Sequence, residues 1–310
     1  MHNGAFGLQS LCNVLLPITT PFQENRVDHA ALRSNIDRWS NSGIKGYVIL
    51  GSTGERVHLD EREYLEVIET ARAAVPKAPQ RDGADNLAFI VGAGQQSVAG
   101  TINEIERAAA AGAEAVLVIT PHYYRAAMTQ EVLVGFYTAV ADAAPVPVLL
   151  YSMPALTGIK IEPATIARLS EHQNIIGVKD SSNDVAGLAE TVKLCPPDFA
   201  VLTGNGTVFL DALRAGATGA ILAVGCVVPE ICVAIYDAFI RGDEDRASSL
   251  QAKLTPLATA VTTKYGIGGL KAALDLAGYK GGAVRAPLRS PDESARAEIA
   301  RLLADNGTAG

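Results

Sequence analysis

The chain has 310 residues, of which 48% are hydrophobic, 19% charged and 5% aromatic, and its formal net charge is −7. Acidic and basic residues are interspersed without a Lys/Arg run, which argues against nucleic acid as a partner, and any anionic substrate would need locally placed donors. The balance is that of a soluble globular protein, and 29 glycines suit helices packed closely on a sheet with many tight turns.

Short apolar, β-branched runs recur along the chain, each followed by a longer stretch of helical periodicity. They cover residues 14–18, 46–50, 88–91, 115–119, 146–151, 175–179, 200–203 and 219–222. Asp60-Glu61-Arg62-Glu63 places acids at the positive end of a helix. Ser97 and Thr129 are N-cap candidates, and the runs 108–112 and 213–219 close helices with glycine. Residues 75–86 form a polar, Pro-rich loop that is expected to be exposed. After the eighth strand only helices are expected, over 229–241, 243–263, 267–277 and 292–305. Eight continuous apolar strands alternating with helices predict an α/β fold, a TIM (β/α)8 barrel with a C-terminal helical extension. The rival is an open doubly wound sheet. The expected division is a barrel over 1–241 and a helical appendage over 242–310.

Cys12, Cys195, Cys226 and Cys232 form no CxxC pair and sit in or beside apolar segments, as reduced thiols of a cytoplasmic protein would. The first ten residues show no basic stretch followed by an apolar core, and no apolar run reaches the roughly 18 residues of a membrane helix, so a soluble intracellular protein is expected.

Function in such a barrel gathers where strands end at the C-terminal face. There the sequence places Gly51-Ser52-Thr53-Gly54-Glu55, Thr120-Pro121-His122-Tyr123-Tyr124, Tyr151, Lys179 and Gly204-Asn205-Gly206. Lys179 closes the buried run Ile175-Ile176-Gly177-Val178. An ammonium there is costly unless paired or deprotonated, and an amine withdrawn from water becomes a nucleophile toward a carbonyl. A lysine that snorkels to solvent, or one paired with Asp180, fits the same position. Tyr151 is either a proton-exchanging phenol or a rim residue. The glycine-rich turn 51–55 offers N–H groups and two hydroxyls to a small carboxylate, although glycine turns follow many strands. It is not a P-loop, and Gly92-Ala93-Gly94-Gln95-Gln96-Ser97 lacks the dinucleotide fingerprint. His2, His29, His58, His122 and His172 are scattered without metal-site spacing.

Four segments taken together resemble the dihydrodipicolinate synthase / N-acetylneuraminate lyase family of class I aldolases, over roughly residues 12–290: GSTGE (51–55), VLLYSMPALTG (148–158), IIGVKDSS (175–182) and VLTGNG (201–206). The resemblance implies that Lys179 forms a Schiff base with pyruvate or another 2-oxo acid and that Tyr151 is its acid/base partner. It implies that Thr53 relays protons between Tyr151 and a tyrosine from a neighbouring subunit, which Tyr123 fits best and for which Tyr124 is the alternative. Ser52 and Thr53 would bind the pyruvate carboxylate, Ile221 would line the site with its carbonyl, and Gly204 would leave room for substrate. Ser181 and Asn205 would border the pocket. No metal or organic cofactor is implied, and a borrowed tyrosine implies a homo-oligomer, a dimer or a dimer of dimers.

The sequence departs from the lysine-pathway synthases of that family at Leu156, where they carry an arginine that holds the carboxylate of the aldehyde partner. The segments 120–125, 151–158, 179–185 and 265–288 resemble the 4-hydroxy-2-oxoglutarate aldolase branch, which implies cleavage of that compound to pyruvate and glyoxylate. A sister reaction on the same imine is the alternative: dihydrodipicolinate synthesis, or aldol cleavage or dehydration of a 2-keto-3-deoxy sugar acid. A barrel that binds a 2-oxo acid without turning it over is the non-enzymatic one.

Overall fold

The computed structural model describes residues 6–76 and 87–307. Eight parallel strands close into a barrel in chain order: β1 (Asn13–Pro17), β2 (Gly46–Ile49), β3 (Ala88–Ala93), β4 (Ala115–Ile119), β5 (Val148–Ser152), β6 (Ile175–Asp180), β7 (Ala200–Thr203) and β8 (Gly219–Ile221). The ring shuts because β1 pairs on both sides, Val14 with Ala220 of β8 and Leu16 with Tyr47 of β2. This closure excludes the doubly wound sheet, which has two free edges. The strands are apolar on both faces because both are covered. Inward residues, among them Leu15, Val48, Ile90, Leu117, Leu149, Leu202 and Ile221, fill the barrel, and the helical turn Leu8–Leu11 packs against them through Leu8 and Leu11. Outward residues join a second, larger core beneath the helices.

The surrounding helices are α1 (His29–Trp39), α2 (Glu61–Ala74), α3 (Val98–Ala110), α4 (Gln130–Ala143), α5 (Pro163–Leu169), α6 (Val185–Leu194), α7 (Phe209–Arg214) and α8 (Pro229–Ile240). Their starts follow capping chemistry. Asp60 and Glu63 make a capping box on α2, and Ser97 and Thr129 accept N–H bonds at the heads of α3 and α4. Gly112 and Gly216 adopt positive φ of 100° and 97° where the chain leaves α3 and α7. From residue 77 on, the loop expected over 75–86 lies outside the described residues.

The C-terminal region is helical, with one difference from the expected pattern. Helix α9 (Glu244–Thr259) gives way to a π-helical turn at Ala260–Lys264 before α10 (Gly266–Leu276) and α11 (Glu293–Asp305). Pro256 removes an N–H within α9, and the ladder then widens so that Tyr265 N–H bonds to the Ala260 carbonyl. Helix α9 packs along α8, and α10 packs on α11 and on the turn after β8. A short ribbon, Phe22–Gln23 with Arg26–Val27, lies between β1 and α1 and has no counterpart among the expected elements. No helix among the described residues is long and apolar enough to cross a membrane.

Candidate active site

A register shift creates the centre of the site. Val148 lies opposite Ile175, but Leu149 lies opposite Gly177, so β6 carries one extra residue. Tyr151 then pairs with Lys179 and Ser152 with Asp180. Side chains alternate between faces along a strand, so an unbroken register would set Val178 beside Tyr151. The bulge places Lys179 and Tyr151 on one face, the barrel interior. Gly177, one layer below Lys179, has no room for a side chain: an added Cβ would lie 2.6 Å from the Ala200 carbonyl oxygen.

Lys179 and Tyr151 are each 4% exposed, and the amine lies 4.6 Å from the centre of the tyrosine ring. Among the described residues Lys179 Nζ has no ion pair or hydrogen bond. Asp180 faces the other way, and its carboxylate accepts from the N–H and the hydroxyl of Ser182, at 2.7 and 2.5 Å. Burial pushes its carboxyl above the usual range. The local Lys179–Asp180 pair left open by the sequence is therefore not formed. Gly204 borders the lysine stem, since an added Cβ would sit 2.8 Å from Lys179 Cε and 1.8 Å from Ser181 Oγ. Its missing side chain makes room for Lys179 and Ser181 themselves.

The turn after β2 brings the hydroxyl. Leu50 and Glu55 bracket it with φ of 58° and 55°, a region that side-chain-bearing residues rarely enter. Between them Ser52–Gly54 form one 3-10 turn. Ser52 Oγ lies 3.0 Å from the Tyr151 hydroxyl. The family resemblance implies a relay through Thr53, whereas the hydroxyl that meets the phenol in this chain is that of Ser52. The left-handed step at Leu50 turns the chain before the 3-10 segment starts, so the first residue of the turn meets the inward-facing phenol while Thr53 is buried.

The remaining candidates divide. Ile221 ends β8, fully buried on the inner face. Ser181 N–H donates to the Ser152 carbonyl, which ties the two strand ends together at 3.0 Å. Asn205 is occupied locally: its carbonyl oxygen accepts from the Thr207 N–H and hydroxyl, both at 2.9 Å, and its amide donates to Asn183. Its side chain caps the turn rather than opening toward Lys179. Tyr123 and Tyr124 stand out from the barrel, 76% and 70% exposed, with their rings edge to face at 5.1 Å. Within its own chain neither contacts Lys179 or Tyr151. Leu156 is 59% exposed on the turn Pro154–Thr157.

Sequence reasoning missed three residues. Gln96 Oε1 accepts the main-chain N–H groups of His122 and Tyr123, each at 2.8 Å, and so holds the tyrosine loop. Glu55 and Lys271 form an ion pair of 2.6 Å in which each side chain is 1% exposed. The signal for Lys271 was a lysine inside the apolar stripe of a predicted helix, where a charge needs a buried partner.

The chain matches a known family model, described as the dihydrodipicolinate synthetase family, over residues 10–306. The chain belongs to that family. Among its curated relatives, 4-hydroxy-tetrahydrodipicolinate synthase of Syntrophus aciditrophicus is 33% identical over 96% of this chain and 98% of its own. The protein of the same name from Haloarcula marismortui is 34% identical over 88% and 87%. Among solved structures, a monomeric dihydrodipicolinate synthase variant superposes with a TM-score of 0.90 at 28% identity, covering 97% of this chain and 98% of that one. The Escherichia coli prophage protein YagE of the same family, in complex with pyruvate, superposes with a TM-score of 0.86 at 28% identity, covering 96% and 99%. As a member of the dihydrodipicolinate synthetase family, this chain is an enzyme, a carbon–carbon lyase of the class that works through a lysine Schiff base.

Proposed function

We propose that Lys179 forms an imine with the C2 carbonyl of pyruvate or a larger 2-oxo acid, and that Tyr151 moves the protons of the carbon–carbon step. The observation that carries this reading is a buried amine without a protein partner, 4.6 Å from the ring of a tyrosine whose hydroxyl meets Ser52 at 3.0 Å. Attack by the amine and loss of water give a protonated imine, which withdraws electrons from C3. Removal of a C3 proton gives an enamine, whose C3 attacks an aldehyde carbon. The new oxygen takes a proton from Tyr151, and water hydrolyses the imine to free Lys179. In reverse, Tyr151 takes the C4 hydroxyl proton as the C3–C4 bond breaks. Ser52 and Thr53, through the hydroxyls and main-chain N–H groups of the 3-10 turn, would hold the 2-oxo acid's carboxylate. Ile221 and Ser181 line the same pocket.

The relatives' names favour synthesis of 4-hydroxy-tetrahydrodipicolinate over the cleavage of 4-hydroxy-2-oxoglutarate expected from sequence. Leu156 favours the second reading, because an exposed leucine at the mouth offers no charged contact to a carboxylate-bearing aldehyde. Reduction with borohydride in the presence of pyruvate, followed by peptide mass mapping, tests the imine. A stable adduct is expected on Lys179, and an unmodified lysine would end the reading. Condensation of pyruvate with aspartate 4-semialdehyde, measured beside pyruvate release from 4-hydroxy-2-oxoglutarate, separates the two activities. The exposed Tyr123 supports a homo-oligomer in which it reaches the site of a second copy, and the four unpaired cysteines support a cytoplasmic setting.

A further inference from the structure

We infer that Lys271 is a positioning residue for the turn that holds the substrate carboxylate. This rests on the proposed imine chemistry and names what keeps its geometry.

The turn 51–54 is bracketed by two non-glycine residues in the left-handed region. Such strain persists only where the surroundings over-determine it. At the Leu50 end the constraint is β3, packed so closely that a Cβ on Gly92 would meet the Leu50 carbonyl oxygen at 2.3 Å. At the Glu55 end it comes from far along the chain. One carboxylate oxygen of Glu55 lies 2.6 Å from Lys271 Nζ, and the other accepts the Arg285 N–H at 3.0 Å and meets His58 Nδ1 at 3.1 Å.

Lys271 does more than neutralise this acid. Its ammonium also donates to the carbonyls of Thr20 at 2.7 Å and Ala283 at 2.6 Å, while its contact with Glu55 is an ion pair without hydrogen-bond geometry. Thr20 in turn donates its hydroxyl to the Gly54 carbonyl at 2.7 Å. Through one nitrogen, helix α10 grips Glu55 directly and Gly54 through Thr20. Gly54 ends the 3-10 turn that Ser52 opens, Glu55 caps it, and Ser52 is the contact of Tyr151. Lys271 itself belongs to neither the strand ends nor the pocket, and burial lowers its basicity from the usual lysine range.

The test separates this role from bulk stability. Lys271→Met alone leaves a buried carboxylate without its cation and is expected to unfold readily. The double variant Glu55→Gln/Lys271→Met removes both charges and keeps an amide for the Arg285 N–H, so it is the informative protein. Its half-saturation for pyruvate in borohydride trapping is expected to rise about tenfold or more, because a displaced turn weakens its charge-assisted hydrogen bonds to the carboxylate. Labelling of Lys179 at saturating pyruvate should still go to completion. Lys271→Arg in the otherwise native chain is expected to recover part of the lost affinity. A folded double variant with unchanged half-saturation overturns the inference while leaving the imine reading intact. If the unmodified enzyme fails to trap pyruvate at Lys179, both fall.

Discussion

Replacing Gly204 with alanine probes the packing of the reactive lysine most directly. The position has no left-handed φ, so alanine fits the backbone. Its new methyl would sit 2.8 Å from Lys179 Cε, where ordinary contact begins at 3.4 Å. The lysine stem must therefore retreat by about 0.6 Å in a close-packed interior. Such overpacking costs about 1–3 kcal/mol of stability, which leaves a folded protein. A shift of this size at the attacking nitrogen is expected to slow imine formation about tenfold to 10²-fold. Single-turnover mixing with pyruvate, quenched with borohydride and read as the labelled fraction of Lys179 against time, measures that rate. The clash with Ser181 Oγ at 1.8 Å is a confounding contact, and the variant Gly204→Ala/Ser181→Gly removes it while keeping the contact with Cε. Slow labelling should persist in this double variant. Full recovery there, or an undiminished rate in folded Gly204→Ala, would refute the argument that Gly204 exists to clear the lysine stem.

Tyr151→Phe keeps the buried ring beside Lys179 but removes the hydroxyl, and is expected to lower kcat by about 10²–10⁴-fold while pyruvate still forms a trappable imine. Ser52→Ala should lower kcat more than Thr53→Val, since only Ser52 reaches the phenol, and steady-state kinetics on both variants check the order. Leu156→Arg is expected to raise kcat/KM for a carboxylate-bearing aldehyde about tenfold or more relative to an uncharged one, through a charge-assisted contact of about 1.5–3 kcal/mol. The bidentate Arg285 guanidinium holds the Glu63 carboxyl below the usual glutamate range. A depressed acid contributes stability above its unfolded value, about 4.3, and loses it as pH falls through the lower folded value. Melting temperatures taken from pH 6 down to pH 3 should therefore fall more steeply for the native chain than for Arg285→Met.

Much of the barrel was legible because each strand is an apolar run and each helix has its own caps. Val146 and Pro147 read as strand, yet pairing starts at Val148. Strand β3 runs on through Gly92 and Ala93, where composition signals a turn. The site was legible as a set of residue types at strand ends, but not as geometry. Nothing in the run from Ile175 to Lys179 announces the extra residue that puts the amine beside Tyr151, because a bulge is a property of two strands together. The choice between Ser52 and Thr53 depends on a left-handed leucine, a conformation that leucine's preferences argue against. Asn205 looked available because its partners, Asn183 and Thr207, satisfy it only once the loops are folded.

The order in which this chain is synthesised has its own consequence. The first strand finds its outer neighbour only when β8 exists, and Glu55 meets its cation about 200 residues after it leaves the ribosome, roughly 10–40 s at ordinary translation speed. Until then the growing polypeptide carries open sheet margins that would accept any passing strand. Production in cells thus depends on how well that half-minute is sheltered, and chaperone supply or slowed growth should raise the soluble yield more than any change to the finished enzyme's surface.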